Sequence, residues 1–93
     1  MPETIVYTRL CDALGRPFGD ADIALAYTPY RTWANRRLYN TAEALDALEV
    51  FYKNRAAENR ARYERHRAGV FRDRAARAEA HIEHIRKWRA ENE

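Results

Sequence analysis

No proline interrupts the chain from Thr41 to Glu93, and alanine recurs throughout that stretch. Alanine is the best helix former, and Leu45, Leu48 and Tyr52 recur at helical spacing beside Val50 and Phe51, so the whole C-terminal half is predicted to be helical. Asn40-Thr41-Ala42-Glu43 provides the start: Asn40 carries the side-chain acceptor an N-cap needs, and Glu43 stands three residues on.

Whether this half is one helix or two decides the architecture. A heptad-like track runs from Ala47 and Val50 through Ala57, Ala61, Ala68 and Phe71 to Ile82 and Ile85. It passes Gly69 in phase, as one coiled-coil rod would. Such a rod would reach roughly 78 Å at ~1.5 Å per residue, and a monomer of 93 residues gains little from it. A hairpin is the preferred alternative. Gly69 followed by Val70 suits a Schellman-type stop, and Asp73 suits the cap of a second helix. Folding back near residue 69 sets Leu45, Leu48, Phe51 and Tyr52 level with Ile82, Ile85 and Trp88. The large apolar groups then meet at one end and the Ala/Arg-rich stretches at the other.

The N-terminal 40 residues admit two readings. In the preferred one, three short helices cover about 4–14, 20–27 and 29–39. Val6, Leu10, Ala13 and Leu14 share a face in the first, which Gly15 and Pro17 end. Asp20 or Asp22 starts the second, which carries Ile23, Ala24 and Tyr27. Thr28 caps the third, with Pro29 at its first position, and Tyr30, Trp33, Ala34 and Leu38 share a face. In the alternative, strands at 5–11 and 23–28 form a β-hairpin, with Ile23, Leu25 and Tyr27 alternating. The expected fold is therefore all-α, a single domain of compact residues 1–40 and a helical hairpin or coiled coil at 41–93; the alternative is α+β.

Charge narrows the function classes. The net charge is only +3, but residues 41–52 carry Glu43, Asp46 and Glu49 and no base. Residues 53–77 hold nine bases against Glu58, Glu64 and Asp73, a local net of +6. Such a block attracts polyanions or acidic protein surfaces. Lys53, Arg60, Arg67 and Arg74 recur every seven residues, about 10 Å apart along a helix; all four share an edge of a continuous helix and the first three still align in a hairpin, a spacing able to follow phosphates or an acidic partner. The bland alternative is a solvated face with pairs such as Arg60–Glu64 and Asp73–Arg77.

Chemistry-bearing constellations are few. Serine is absent, glycine occurs only at 15, 19 and 69, and Cys11 is the sole cysteine. The reading is thus of a non-enzymatic protein with no cofactor and no metal: His81 and His84 at i,i+3 have no third ligand placed by sequence. Tyr27, Tyr30, Trp33 and Tyr39 interleave with Arg31, Arg36 and Arg37, a mix that stacks single-stranded bases or, more ordinarily, builds core. With no signal peptide and no apolar run near 20 residues, a cytoplasmic location is expected, without membrane contact.

Residues 20–38 resemble a helix-turn-helix. Asp20 to Ala24 reads acidic-x-x-Ile-Ala, Thr28 would cap the second helix, and Trp33 would face inward. The turn is one residue short and lacks its usual glycine, with Tyr27-Thr28-Pro29 in its place. The resemblance implies duplex DNA binding through Tyr30, Arg31, Thr32, Asn35, Arg36 and Arg37. A helix-turn-helix ahead of a helical hairpin is also similar in outline to phage small terminase subunits, by analogy alone. Two expectations follow: a DNA-binding accessory of phage or bacterial type, regulatory or packaging-related; or a protein-interaction module, an inhibitor of a host complex or an adaptor, docking on an acidic surface through Lys53, Arg60, Arg67 and Arg74. A homo-oligomer through the Ala-rich seam fits either.

Overall fold

The C-terminal half dictates the shape. In the computed structural model, which describes residues 1–14 and 19–92, α3 (Thr41–His66) and α4 (Gly69–Glu91) form an antiparallel hairpin. Asn40 caps α3, its Oδ1 accepting from the Glu43 N–H at 3.0 Å. The reversal is tighter than a Gly69 stop: Arg67 takes the left-handed conformation (φ 52°), and its N–H donates to the Tyr63 carbonyl at 2.7 Å. Gly69 opens α4 rather than ending α3, so Asp73 lies inside the second helix and caps nothing.

The expected end-to-end asymmetry is present. Leu45, Leu48, Tyr52, Ile82 and Ile85 are buried together, with Phe51 and Trp88 packed against them. Toward the turn the buried residues shrink to Ala56, Ala75 and Ala78, with Asn59 beside them. The continuous-rod track fails on its α3 side: Val50, Ala57 and Ala61 face solvent, and the buried face runs instead through Thr41, Leu45, Leu48, Tyr52 and Asn59.

The N-terminal part meets each sequence reading in part: helices lie within or near the first two expected spans, 4–14 and 20–27, and a small sheet is present, but not at the strands expected. It contains β1 (Thr4–Val6), α1 (Tyr7–Ala13), α2 (Gly19–Ala24), β2 (Tyr30–Trp33) and β3 (Arg36–Asn40). The sheet order is β1-β3-β2, antiparallel throughout, with Ile5 opposite Tyr39 and Tyr30 also opposite Tyr39. The fold is mostly helical with a small three-stranded sheet. The helix expected at 29–39 is a β-hairpin, and so the helix-turn-helix at 20–38 is overturned. Its residues explain why: Tyr, Thr and Trp are poor helix formers but fit a pleated surface, and β1 supplies the third strand that makes a hairpin stable. The alternative β-hairpin at 5–28 is corrected too, because α1 begins at Tyr7 and residues 25–28 form a turn after α2.

The hairpin turn is Ala34-Asn35, with φ of 48° and 60°. Two consecutive left-handed residues are what a type I′ turn requires. Trp33, expected to face inward, is exposed, as are Ile23 and Tyr27; Ala21 and Leu25 are buried. The expected stops at Gly15 and Pro17 lie outside the described residues. Among those residues, no helix is long and apolar enough to cross a membrane.

Candidate functional site

The arginines fall into two populations. Toward the sheet, Arg37, Arg55 and Arg89 are held by carboxylates from other elements, whereas Arg9, Arg31 and Arg36 are exposed and take part in no described ion pair. Arg89 bridges Asp46 and Glu49 at 2.9 and 3.0 Å, tying α4 to α3. Arg55 meets Asp20 of α2 at 2.8 Å. Arg37 meets Asp22 at 2.7 Å, and its guanidinium lies 3.8 Å from the Tyr7 ring centroid.

The turn end is different. Residues 60–77 contain seven arginines and only two carboxylates, Glu64 and Asp73. Arg60 pairs across the hairpin with Glu79. Arg67 and Arg72 meet Glu64 and Asp73 only at 3.5 and 3.9 Å, through side chains about two-thirds exposed, where pairs contribute little. Among the described ion pairs, none involves Arg62, Arg65, Arg74 or Arg77. The expected pairs Arg60–Glu64 and Asp73–Arg77 are replaced by these other partnerships.

The seven-residue stripe does not survive as one surface. Lys53 and Arg60 line a groove with Glu79, Glu83 and Arg86 on one side of the hairpin. Arg74 lines a cleft with Arg55, Arg62 and Arg77 on the other. Arg67 sits at the reversal itself. Spacing along one helix finds Arg60 and Arg67, but only the packing of α4 on α3 sets Arg62 near Arg74 and Arg77.

That cleft has a volume of about 450 Å³. Its α3 wall is Tyr52, Arg55, Glu58, Asn59 and Arg62; its α4 wall is Arg74, Arg77, Ala78 and His81; Asp20 closes one end. Four guanidiniums against two carboxylates give a net of two positive charges with His81 neutral. Asn59 is buried, and its Nδ2 donates to the Arg55 carbonyl at 2.8 Å, which orients the amide. Asn59 Oδ1 and the Tyr52 hydroxyl are buried without a hydrogen-bond partner among the described residues. Burial pushes the Tyr52 phenol up to about 12, so it stays a neutral donor. His81 stacks on Tyr52 at 4.8 Å. Burial, then the nearby cations His84, Arg55 and Arg77, hold its pKa below the ordinary value, against an opposing pull from Asp20.

The six residues expected to read DNA are placed on the β-hairpin. Tyr30, Arg31, Thr32, Asn35 and Arg36 are exposed on β2, the turn and β3. Arg37 belongs to the fold instead, donating to Asp22 and to the Tyr39 hydroxyl at 3.2 Å. Its bond holds the Asp22 carboxyl below the usual range. Tyr39 is core, and Tyr30 rests against it with ring centroids 5.5 Å apart. Among the described residues, no group of three or more His, Cys, Asp or Glu side chains is gathered to hold a metal ion. Comparison with family models, curated proteins and solved structures returns no match.

Proposed function

We propose that this chain is a non-enzymatic nucleic-acid-binding protein that grips the phosphate backbone of duplex DNA with the turn end of its helical hairpin. The supporting observation is the contrast between the two ends. Carboxylates from other elements hold Arg37, Arg55 and Arg89 toward the sheet, whereas the turn end gathers seven arginines against two carboxylates of its own, and Arg62, Arg65, Arg74 and Arg77 take part in no described ion pair. Guanidiniums so exposed are available to pair with phosphates. With the helix-turn-helix gone, this binding is largely independent of base sequence, because phosphate contacts carry no sequence information directly. A cytoplasmic accessory, of phage or bacterial type, is the role that suits such a module.

Fluorescence anisotropy with a labelled 20-base-pair duplex tests this. About five phosphate contacts give a log–log salt slope near −4.5, a loss of several hundredfold between 50 and 200 mM salt. Reversing Arg65, Arg67 and Arg72 to Glu should abolish retention at micromolar protein. Equal binding by parent and triple variant would refute the proposal.

A second reading, a protein-interaction module, draws on β2. This strand lies at the sheet edge, all four of its residues are exposed, and they include Tyr30 and Trp33. Exposed edges pair with strands of other chains. A stoichiometric protein complex recovered from nuclease-treated native lysate, lost on Thr32→Pro, would favour it over DNA binding.

A further inference from the structure

We infer that the cleft between α3 and α4 is a binding site for a small phosphorylated solute: a phosphate group of two negative charges that also presents a hydrogen-bond donor. Three features of the cleft support this.

The first is charge. Arg62, Arg74 and Arg77 come from two helices to one concavity, and the net of two positive charges there matches a dianion better than a carboxylate. Arg55 is already engaged by Asp20, which leaves the other three for the ligand. The second is space. About 450 Å³ accommodates a group the size of a mononucleotide. The third is the floor. Asn59 Oδ1 and the Tyr52 hydroxyl are buried and unpartnered, an arrangement native proteins seldom leave unused. They ask for different things. A neutral phenol donates to a phosphate oxygen. The Asn59 oxygen only accepts, and its amide orientation is held by the bond to the Arg55 carbonyl, so the ligand must bring a donor. Hydrogen phosphate has one in its P–OH, and a mononucleotide has hydroxyls and an amino group. Sulfate, equal in charge, has none at neutral pH.

The same chemistry arrives either as a free solute or as the 5′-phosphorylated end of a nucleic-acid strand. The site stands apart from the proposed backbone grip. It uses Arg62, Arg74 and Arg77, whereas the duplex test reverses Arg65, Arg67 and Arg72, so either idea can fail while the other stands.

Calorimetry at pH 7 on the whole chain, with inorganic phosphate, AMP, sulfate, and one short oligonucleotide with and without its 5′-phosphate, tests the inference. The His81 imidazole resonance is followed in parallel. Phosphate and AMP should saturate the protein, with sulfate at least tenfold weaker. An anion beside His81 should raise its pKa, adding to Asp20 against His84, Arg55 and Arg77. The double substitution Arg62→Ala/Arg77→Ala, at exposed positions that leave the core intact, should weaken phosphate at least tenfold. Lys53→Ala on the opposite groove should leave it unchanged. Saturation by the phosphorylated oligonucleotide but not AMP supports the site with the strand end as its source. Three results would overturn it: no saturable binding of phosphate, AMP or the phosphorylated end; equal affinity for sulfate; or unaltered binding by the double variant.

Discussion

Arg37→Ala separates a structural arginine from a ligand-binding one. Its guanidinium joins β3 to α2 through Asp22, covers the Tyr7 ring and donates to the Tyr39 hydroxyl. The ion pair has side chains 33% and 61% exposed, so solvent screening limits it to about 0.5 kcal/mol. The cation–π contact adds about 0.5–1 kcal/mol, and the bond to Tyr39 about 0.5 kcal/mol. The expected loss is about 1.5–2 kcal/mol, a fall of about 1 M in urea midpoint for a chain of this size. The pH dependence follows from Asp22. Its folded pKa is lowered, by Arg37 first and then Tyr7, so its contribution is full above the unfolded value of 3.8 and is lost as pH falls through the depressed one. The deficit of the variant should therefore shrink progressively as pH falls below 3.8 toward the depressed folded value. Duplex affinity at pH 7 should change less than twofold. A tenfold drop in affinity with an unchanged urea midpoint would refute this assignment and return Arg37 to the binding surface.

Three further predictions concern the fold and its titration. Leu48→Ala, at a fully buried position, should cost about 2–4 kcal/mol in urea unfolding; a loss under 1 kcal/mol would contradict the packing of the hairpin base. Ala34→Gly relieves a left-handed alanine and should stabilise by up to about 1 kcal/mol, read as a higher melting temperature; a lower one would contradict the type I′ geometry. The lowered pKa of His81 means that the unfolded chain binds its proton more readily. Stability should be full above about pH 6.5 and decline as pH falls through the folded pKa, and His81→Phe should flatten that part of the profile.

The C-terminal hairpin was legible because several local signals agree there. Asn40 and Glu43 mark a start, no proline follows, and the large apolar residues of both arms coincide only when the chain folds back. The location of the reversal was less legible, since Gly69 draws attention while Arg67 takes the left-handed conformation. The β-hairpin was hidden by its turn: Ala34-Asn35 lacks the Asn-Gly signature, and Thr28-Pro29 imitates a helix start. Its partner β1 is three residues long and leads directly into α1, too short for an alternating pattern to register. The basic block was visible as composition. Its division was not, because the seven-residue stripe describes one helix, whereas tertiary packing sends Lys53 and Arg60 to one groove and Arg74 to another. The roles of Arg62 and Arg77 depend on which helix faces which, and spacing alone does not specify that.

The salt dependence of duplex binding, measured side by side for the parent and for the chain with Arg65, Arg67 and Arg72 changed to Glu, addresses the backbone grip most directly. The parent should show a log–log slope near −4.5, and the variant, still helical by circular dichroism, should show no measurable binding. A parent affinity indifferent to salt, or a reversed-charge chain that binds as well as the parent, would contradict it.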